Sequence, residues 1–460
     1  MLLMEISQSV YVLKRAICSS RLRERRMKKT ISVVALASLV MASTAYGSGY
    51  RIPEQSADST AKAGANIASA LGPDASYYNP ANMSWMENEG FVVEGDFSYI
   101  HLTEIEYDDN GAIPGYSSDS ETKDENFFVP TGFLVSPDYN GIRFGFSITA
   151  PFGLSKRYEP GTWGATFAEK FSLKVIEINP TVSWKIDDKV SFAAGVRALY
   201  SQATVMSNGD FGFAVPPAAG GPLPPGVLST SRYVDGDALD FGWNAALSIK
   251  PTEESNISFT YRSLVDLDFD GDVILSQIDN TGGLLGGTTT INTQGEVTVP
   301  GPAVASISAS YDFDKLTVEL TIDRTFWSAY KSLDFDYDVS LATTPILNGA
   351  FADPSAKNWN DVNAYRLGLE YRYSSNLTLL GGIAFDENPI PEETLSYELP
   401  DSDAWIFSAG ARYALSEKSE VAFGILYDYK ESRDVVNSTV NGEFTNASAI
   451  FATLGYTYKF

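Results

Sequence analysis

The chain has one cysteine, one histidine and too few basic residues for its acidic ones: 33 Lys and Arg against 58 Asp and Glu, a formal charge of −25. Each scarcity closes a class of function. Cys18 stands ahead of a leader segment, so the exported part of the chain holds no disulfide and no thiol chemistry. A zinc site needs several His or Cys ligands, and a hydrolase triad would have to be built on His101 alone, so the expected sets of catalytic residues, metal ligands and cofactors are all none. A strongly acidic chain repels polyphosphate, which argues against nucleic acid as a partner. After the leader there is no run of 18 or more apolar residues, which excludes helical membrane spans. A soluble globule and a β-barrel are left.

The leader itself is explicit. From Met27 the sequence reads MKKTISVVALASLVMASTAYG: two lysines, an apolar run from Ile31 to about Ala42, then small residues. An apolar run of that length is too short to span a bilayer and suits a secretory signal peptide. Residues 1–47 are therefore expected to be an upstream extension plus signal peptide, with the true start at Met27. The mature chain would hold 25 basic and 56 acidic residues.

Alternating apolar and polar segments of about ten residues recur from Phe91 to the end, and fourteen can be counted. Short polar turns such as KIDDK, DFDK and YSSN alternate with long Gly/Pro/Asp-rich loops near 103–125, 152–170, 206–237, 270–294, 329–361, 387–402 and 431–446. Short connections at one end and long ones at the other are the layout of an outer-membrane barrel. In 420–429 the odd positions are Val421, Phe423, Ile425, Tyr427 and Tyr429, and the even ones are Glu420, Ala422, Gly424, Leu426 and Asp428. The odd face suits lipid. Aromatics gather at strand ends as an interfacial girdle requires. The expected fold is all-β: a 14-stranded antiparallel transmembrane barrel over 90–460, preceded at 48–89 by an Ala/Ser/Gly-rich stretch without alternation that could at most make short helices and could be a disordered leader or a plug.

That N-terminal segment carries NPA at Asn79, Pro80 and Ala81, followed by Trp85. Together with TAPFGL (149–154), FWSAY (326–330), NAYRLGLEYRY (363–373) and GIAFDENPIPEETLSYELPDSD (382–403), it resembles the FadL family of long-chain fatty acid transporters over essentially the whole mature chain. The resemblance implies a barrel plugged by an N-terminal hatch, an apolar groove between outer loops, a luminal pocket, and sideways release through a gap made by a kink in the third strand. It also implies that the terminal aromatic, Phe460, is an assembly signal read by the barrel assembly machinery.

On this chain the groove would draw on Phe152, Leu154, Trp163, Phe167 and Phe171, and the kink would fall at Gly145, since glycine within a strand marks a bulge or a close approach. Alternation turns Arg197, Arg262 and Arg366 into the lumen as candidates for holding a carboxylate. Glu177, Glu319, Asp323 and Glu370 face the same way, so ion pairs among them are expected too. DLDFDG at 266–271 copies the opening of a calcium loop, but position twelve is Gln277, so the run fits the outer end of a barrel strand better. The expected function is passive, hatch-gated transport of long-chain fatty acids across a bacterial outer membrane, by a monomer surrounded by outer-membrane lipid and lipopolysaccharide. Uptake of aromatic or other hydrocarbons by the same route is the alternative within the class. A general porin or surface receptor is the alternative outside it.

Overall fold

The computed structural model describes residues 49–110, 118–211, 228–281, 283 and 287–460; residues 1–47, expected to be an extension and leader, lie outside them. Fourteen strands follow in order: β1 (Val92–Leu102), β2 (Glu125–Val135), β3 in two pieces (Ile142–Thr149 and Gly153–Arg157), β4 (Lys170–Lys185), β5 (Val190–Phe211) and β6 (Leu228–Ile249). Next come β7 in two pieces (Ser255–Arg262 and Val265–Asp279), β8 in two pieces (Thr289–Gly301 and Val304–Phe313), β9 (Leu316–Thr325) and β10 (Val362–Arg372). The last are β11 (Leu377–Asp386), β12 (Ala404–Ala414), β13 (Ser419–Lys430) and β14 (Ser448–Lys459). Every strand is antiparallel to its sequence neighbours. β1 closes on β14 with Val92 opposite Lys459, so the barrel has no free edge.

Large apolar side chains circle the outside, among them Phe97, Phe241, Phe313, Leu320, Phe423 and Leu454. Trp184, Tyr311, Tyr371, Tyr413 and Tyr456 lie toward the short turns, and Trp405, Tyr427 and Tyr429 toward the long loops. Two girdles bounding an apolar belt are what a bilayer selects.

Two segments expected to be loops are strand. β5 and β6 run far into 206–237, and β7 and β8 occupy much of 270–294. Within β7, Val265, Leu267, Phe269, Val273 and Leu275 point inward and Asp266, Asp268, Asp270 and Asp272 outward. This is ordinary strand alternation with water rather than lipid on the outer side, so the wall continues above the belt. DLDFDG is part of it, as extended strand paired with β8.

Residues 49–89 occupy the lumen. Short helices α1 (Ala57–Ala61) and α2 (Ala75–Tyr78) and a 3-10 turn at Pro80–Trp85 are joined by tight turns. Ser56 caps α1 by accepting from the Ser59 N–H. The segment has no apolar core of its own, and its small residues let it lie directly against the barrel wall.

Candidate functional site

One side of the hatch is held by charge. Arg366 is buried and donates to Asp323 (3.2 Å), Asp386 (3.3 Å) and the carbonyl of Ala63 (2.9 Å). Asp323 also meets Arg51 at 3.2 Å. Lys62 lies 2.6 Å from Glu370, which binds Arg412 as well, and Arg412 reaches Asp58 at 3.4 Å. Glu319 accepts from three consecutive hatch N–H groups, those of Ile67, Ala68 and Ser69, at 2.7 to 2.9 Å. Burial opposes the charge on Lys62, but Glu370, Glu319 and Asp58 outweigh it and hold the ammonium above its ordinary value. Asp74 goes the other way: burial, and then the charge of Asp58, push its carboxyl up to about 6.

The NPA motif anchors the other side. The Asn79 amide donates to Ile67 O, Ser248 Oγ and Ser258 Oγ at 2.9 to 3.0 Å. Pro80 opens the 3-10 turn, and Ala81 is fully buried against Ala193 and Ala246 of β5 and β6. Asn82, which sequence reasoning missed, ties the loop together by donating to Ile67 O, Ala68 O and Ala70 O. Its only signal was its place three residues after Asn79.

Above the hatch lies a partly open apolar cavity, the kind of concave, apolar site that hydrophobic small molecules occupy. Leu154, Phe171, Val205, Phe269, Val297 and Trp359 are among its walls. Its floor is Tyr50, whose hydroxyl donates to Pro300 O at 2.6 Å and whose ring stands edge-on to Trp327 at 4.5 Å. Gly49, with φ +69°, passes so close to Trp327 and Trp359 that a Cβ would fall within 2.8 Å of each indole. Lys357 also lines the cavity, buried and paired with Glu398. It sits in a loop without periodicity, so no strand pattern could reveal it.

Of the groove residues expected, Leu154 and Phe171 line this cavity. Trp163 and Phe167, on α3 (Trp163–Ala168), instead stack among the outer loops, with Phe167 parallel to Tyr397 at 5.1 Å. Phe152 belongs to a second cavity beneath, together with Arg51, Arg197, Arg262, Tyr77 and Pro302. There Arg197 and Arg262 both clamp Glu177, Arg197 at 2.8 Å, and Arg197 also donates to Ser263 O at 2.7 Å. Two arginines against one carboxylate leave an excess of positive charge beside this cavity. Arg366 does not line it.

The wall next to these cavities is incomplete. β2 and β3 pair only between Gly132–Val135 and Gly145–Ile148, so Glu125–Thr131 has no ladder partner on the β3 side. Pro130, which lacks an N–H, falls in that stretch. β3 itself breaks at Ala150–Phe152 and turns inward, where the hatch supplies the missing bonds: Ile52 N to Pro151 O (2.9 Å), Gly153 N to Tyr50 O (3.0 Å), and the Gln55 side chain to both the N–H and the C=O of Ala150. A bridge between Thr122 and Tyr158 closes the window above. The break is thus not at Gly145, where the strand is paired on both sides. A Cβ at Gly145 would meet Thr181, Met83 and Ser76 at 2.4 to 2.9 Å, so that glycine makes room for the hatch. Phe460 ends the chain 66 % exposed on the outer face, edge-on to Tyr458, with its N–H donating to Phe91 O.

Comparison with known proteins agrees with this geometry. Residues 38–460 match the model of the outer membrane protein transport protein family (OMPP1/FadL/TodX). A long-chain fatty acid transport protein of Escherichia coli O6:H1 is 26% identical over 86% of this chain and 90% of its own, and outer membrane protein P1 of Haemophilus influenzae is 25% identical over 86% and 89%. Among solved structures, a Pseudomonas aeruginosa FadL homologue superposes with a TM-score of 0.75 at 21% identity, over 90% of this chain and all of that one. The Pseudomonas putida toluene transporter TodX gives 0.66 at 17%, over 91% and 100%. A closed fourteen-stranded barrel with a filled lumen, matched to the family model from before the hatch to its last residue, belongs to the OMPP1/FadL/TodX family of outer-membrane transport proteins.

Proposed function

We propose that the protein carries long-chain fatty acids across the outer membrane by passive diffusion, through the apolar upper cavity, past Tyr50 and Phe152, into the arginine-lined lower cavity, and out sideways between β2 and β3. The observation that carries this is the pairing of an apolar cavity, and the arginine-lined one beneath it, with an interrupted wall at the β3 break, around a hatch held in the lumen. A water-filled pore is a poor path for a hydrocarbon tail; a dry cavity that opens toward lipid is a good one.

The carboxylate needs a cation at each stage. Lys357 serves it in the upper cavity by exchanging Glu398 for the ligand, and Arg262 with Arg197 serves it below. Arg366, committed to Asp323, Asp386 and Ala63, holds the hatch instead. Binding of oleate and methyl oleate to the purified barrel tests the reading. Lys357→Ala should weaken oleate by about 1.5–3 kcal/mol, the scale of a hydrogen bond to a charged group, and leave the ester nearly unchanged. Equal losses for acid and ester would refute recognition of the carboxylate. Thr131→Trp, at the lower rim of the window, should keep binding and lower uptake; unchanged uptake would rule out this way out.

Uptake of neutral hydrocarbons is the second reading. It is favoured by the upper cavity's almost wholly apolar walls and by the name of the solved neighbour TodX, a toluene transporter. Lipids retained on gentle purification, identified by mass spectrometry, distinguish the two.

A further inference from the structure

The wall is interrupted a second time, between β6 and β7. The two strands pair from Ile249–Asn244 with Ile257–Arg262 and again from Asp237–Leu228 with Asp270–Asp279, but no ladder joins Ala238–Trp243 to Ser263–Phe269. The stretch is tied toward its two ends, where Ser263 N–H donates to Trp243 O (2.9 Å) and Trp243 N–H to Ser263 Oγ (3.0 Å) below, and Asp268 N–H donates to Asp240 Oδ2 (3.3 Å) above. β7 holds one residue more than β6 across this stretch, so it bulges, and the inward face changes from even to odd positions. β8 is interrupted at the same level, at Pro302 between Gly301 and Val304.

The slot lies within the apolar belt. Leu239, Phe241 and Trp243 on β6 and Leu264 on β7 face outward and are 39 to 66 % exposed, while Asp266 and Asp268 face outward in the upper half of the stretch and Asp237 follows just above on β6. Its inner end meets the lower cavity, which is lined by Arg262, Pro302 and Val304 at this same level. What fills the slot is Val265, packed from inside over Gly242: a Cβ at Gly242 would stand 2.6 Å from its Cγ2. Backbone that leaves its ladder inside a membrane is tolerated only where it borders protein or a cavity, and here it borders both.

The two interruptions differ in chemistry. The β2/β3 window is framed by Gln55, Glu125, Ser155 and Arg157, with Ser155 donating to Glu125 at 2.7 Å and Arg157 3.2 Å from it. That rim suits a headgroup that forms hydrogen bonds. The β6/β7 slot offers a valine stopper, an apolar outer face in its lower half and the carboxylates of Asp240, Asp266 and Asp268 in its upper half, which suit a chain with no anionic headgroup. We propose that the slot is a second lateral passage, used by uncharged hydrocarbon chains moving between the outer leaflet and the lower cavity, with Val265 as its stopper. This rests on the transport reading above.

A reversible staple tests it. The exported chain has no cysteine, so Gly242→Cys with Val265→Cys places one pair across the slot at contact distance. In cells bearing this variant, oxidation should lower uptake of labelled hexadecane by roughly tenfold, the scale on which a small steric change discriminates in a close-fitting apolar passage. Reductant should restore it, and oleate uptake should stay constant throughout. Val265→Ala, which only shortens the stopper, should speed hexadecane entry and leave oleate alone. Hexadecane uptake indifferent to both changes, with oleate uptake intact, would overturn the slot and spare the main route. Absence of both uptakes in the unmodified protein would overturn the two together.

Discussion

Lys357 and Arg366 are both buried cations, and their surroundings assign them different work. Arg366 touches two carboxylates and a hatch carbonyl, and breaking a buried charge network of this kind costs about 3–5 kcal/mol. Arg366→Ala should therefore loosen the hatch, read as a rise in single-channel conductance, while oleate affinity stays near that of the parent. Lys357 has one carboxylate partner at a cavity wall, so its loss should show in affinity and leave the hatch seated. Asp74 adds a pH dependence. Its carboxyl is raised from 3.8 to about 6 in the fold, so the folded hatch holds a proton that the released segment gives up. The resulting stabilisation is complete below about pH 4 and is lost as pH rises through about 6. Hatch openings counted in a planar bilayer should become more frequent across that window. A flat count would remove Asp74 from the mechanism.

At the scale of elements, the third strand shows how a correct inference can rest on the wrong residue. Glycine in a strand marks either a bend or a close approach, and sequence cannot tell which. Gly145 is the close approach, with Thr181, Met83 and Ser76 packed against it. The bend lies at Ala150–Phe152, where Pro151 donates no ladder bond and Gln55 substitutes for a neighbouring strand. Gly145→Phe should consequently unseat the hatch and raise conductance. A variant as electrically quiet as the parent, with reduced uptake, would restore Gly145 to the exit. Deleting residues 53–85 should leave a folded barrel that conducts ions freely.

For the whole molecule, the alternation of short and long connections predicts the orientation, with the short turns on the periplasmic side. Cysteine at Gly349, on α4 (Pro345–Phe351) in the β9–β10 connection and with open space around it, should react with an impermeant maleimide on intact cells. Cysteine at Asp188, in the β4–β5 turn, should react only after the outer membrane is breached. Reversed labelling would invert the topology.

The sequence by itself determined the class of fold, the number of strands and the alternation of short with long connections. Each of these rests on a local pattern: alternation along a strand and turn chemistry between strands. The luminal hatch was expected only through the resemblance carried by Asn79, Pro80 and Ala81, since a stretch of small residues without alternation fits a loose leader as well. Alternation also brought Arg197, Arg262 and Arg366 to the lumen, because inward direction follows from parity. The tertiary structure alone decided what each arginine holds, since Glu177, Asp323 and Asp386 come from other strands. It alone revealed Lys357, Tyr50 and Trp359 as cavity walls, which come together from segments far apart in the chain. The two gaps in the wall were equally out of reach. A missing ladder is a relation of register between neighbouring strands, and no single strand's pattern contains it.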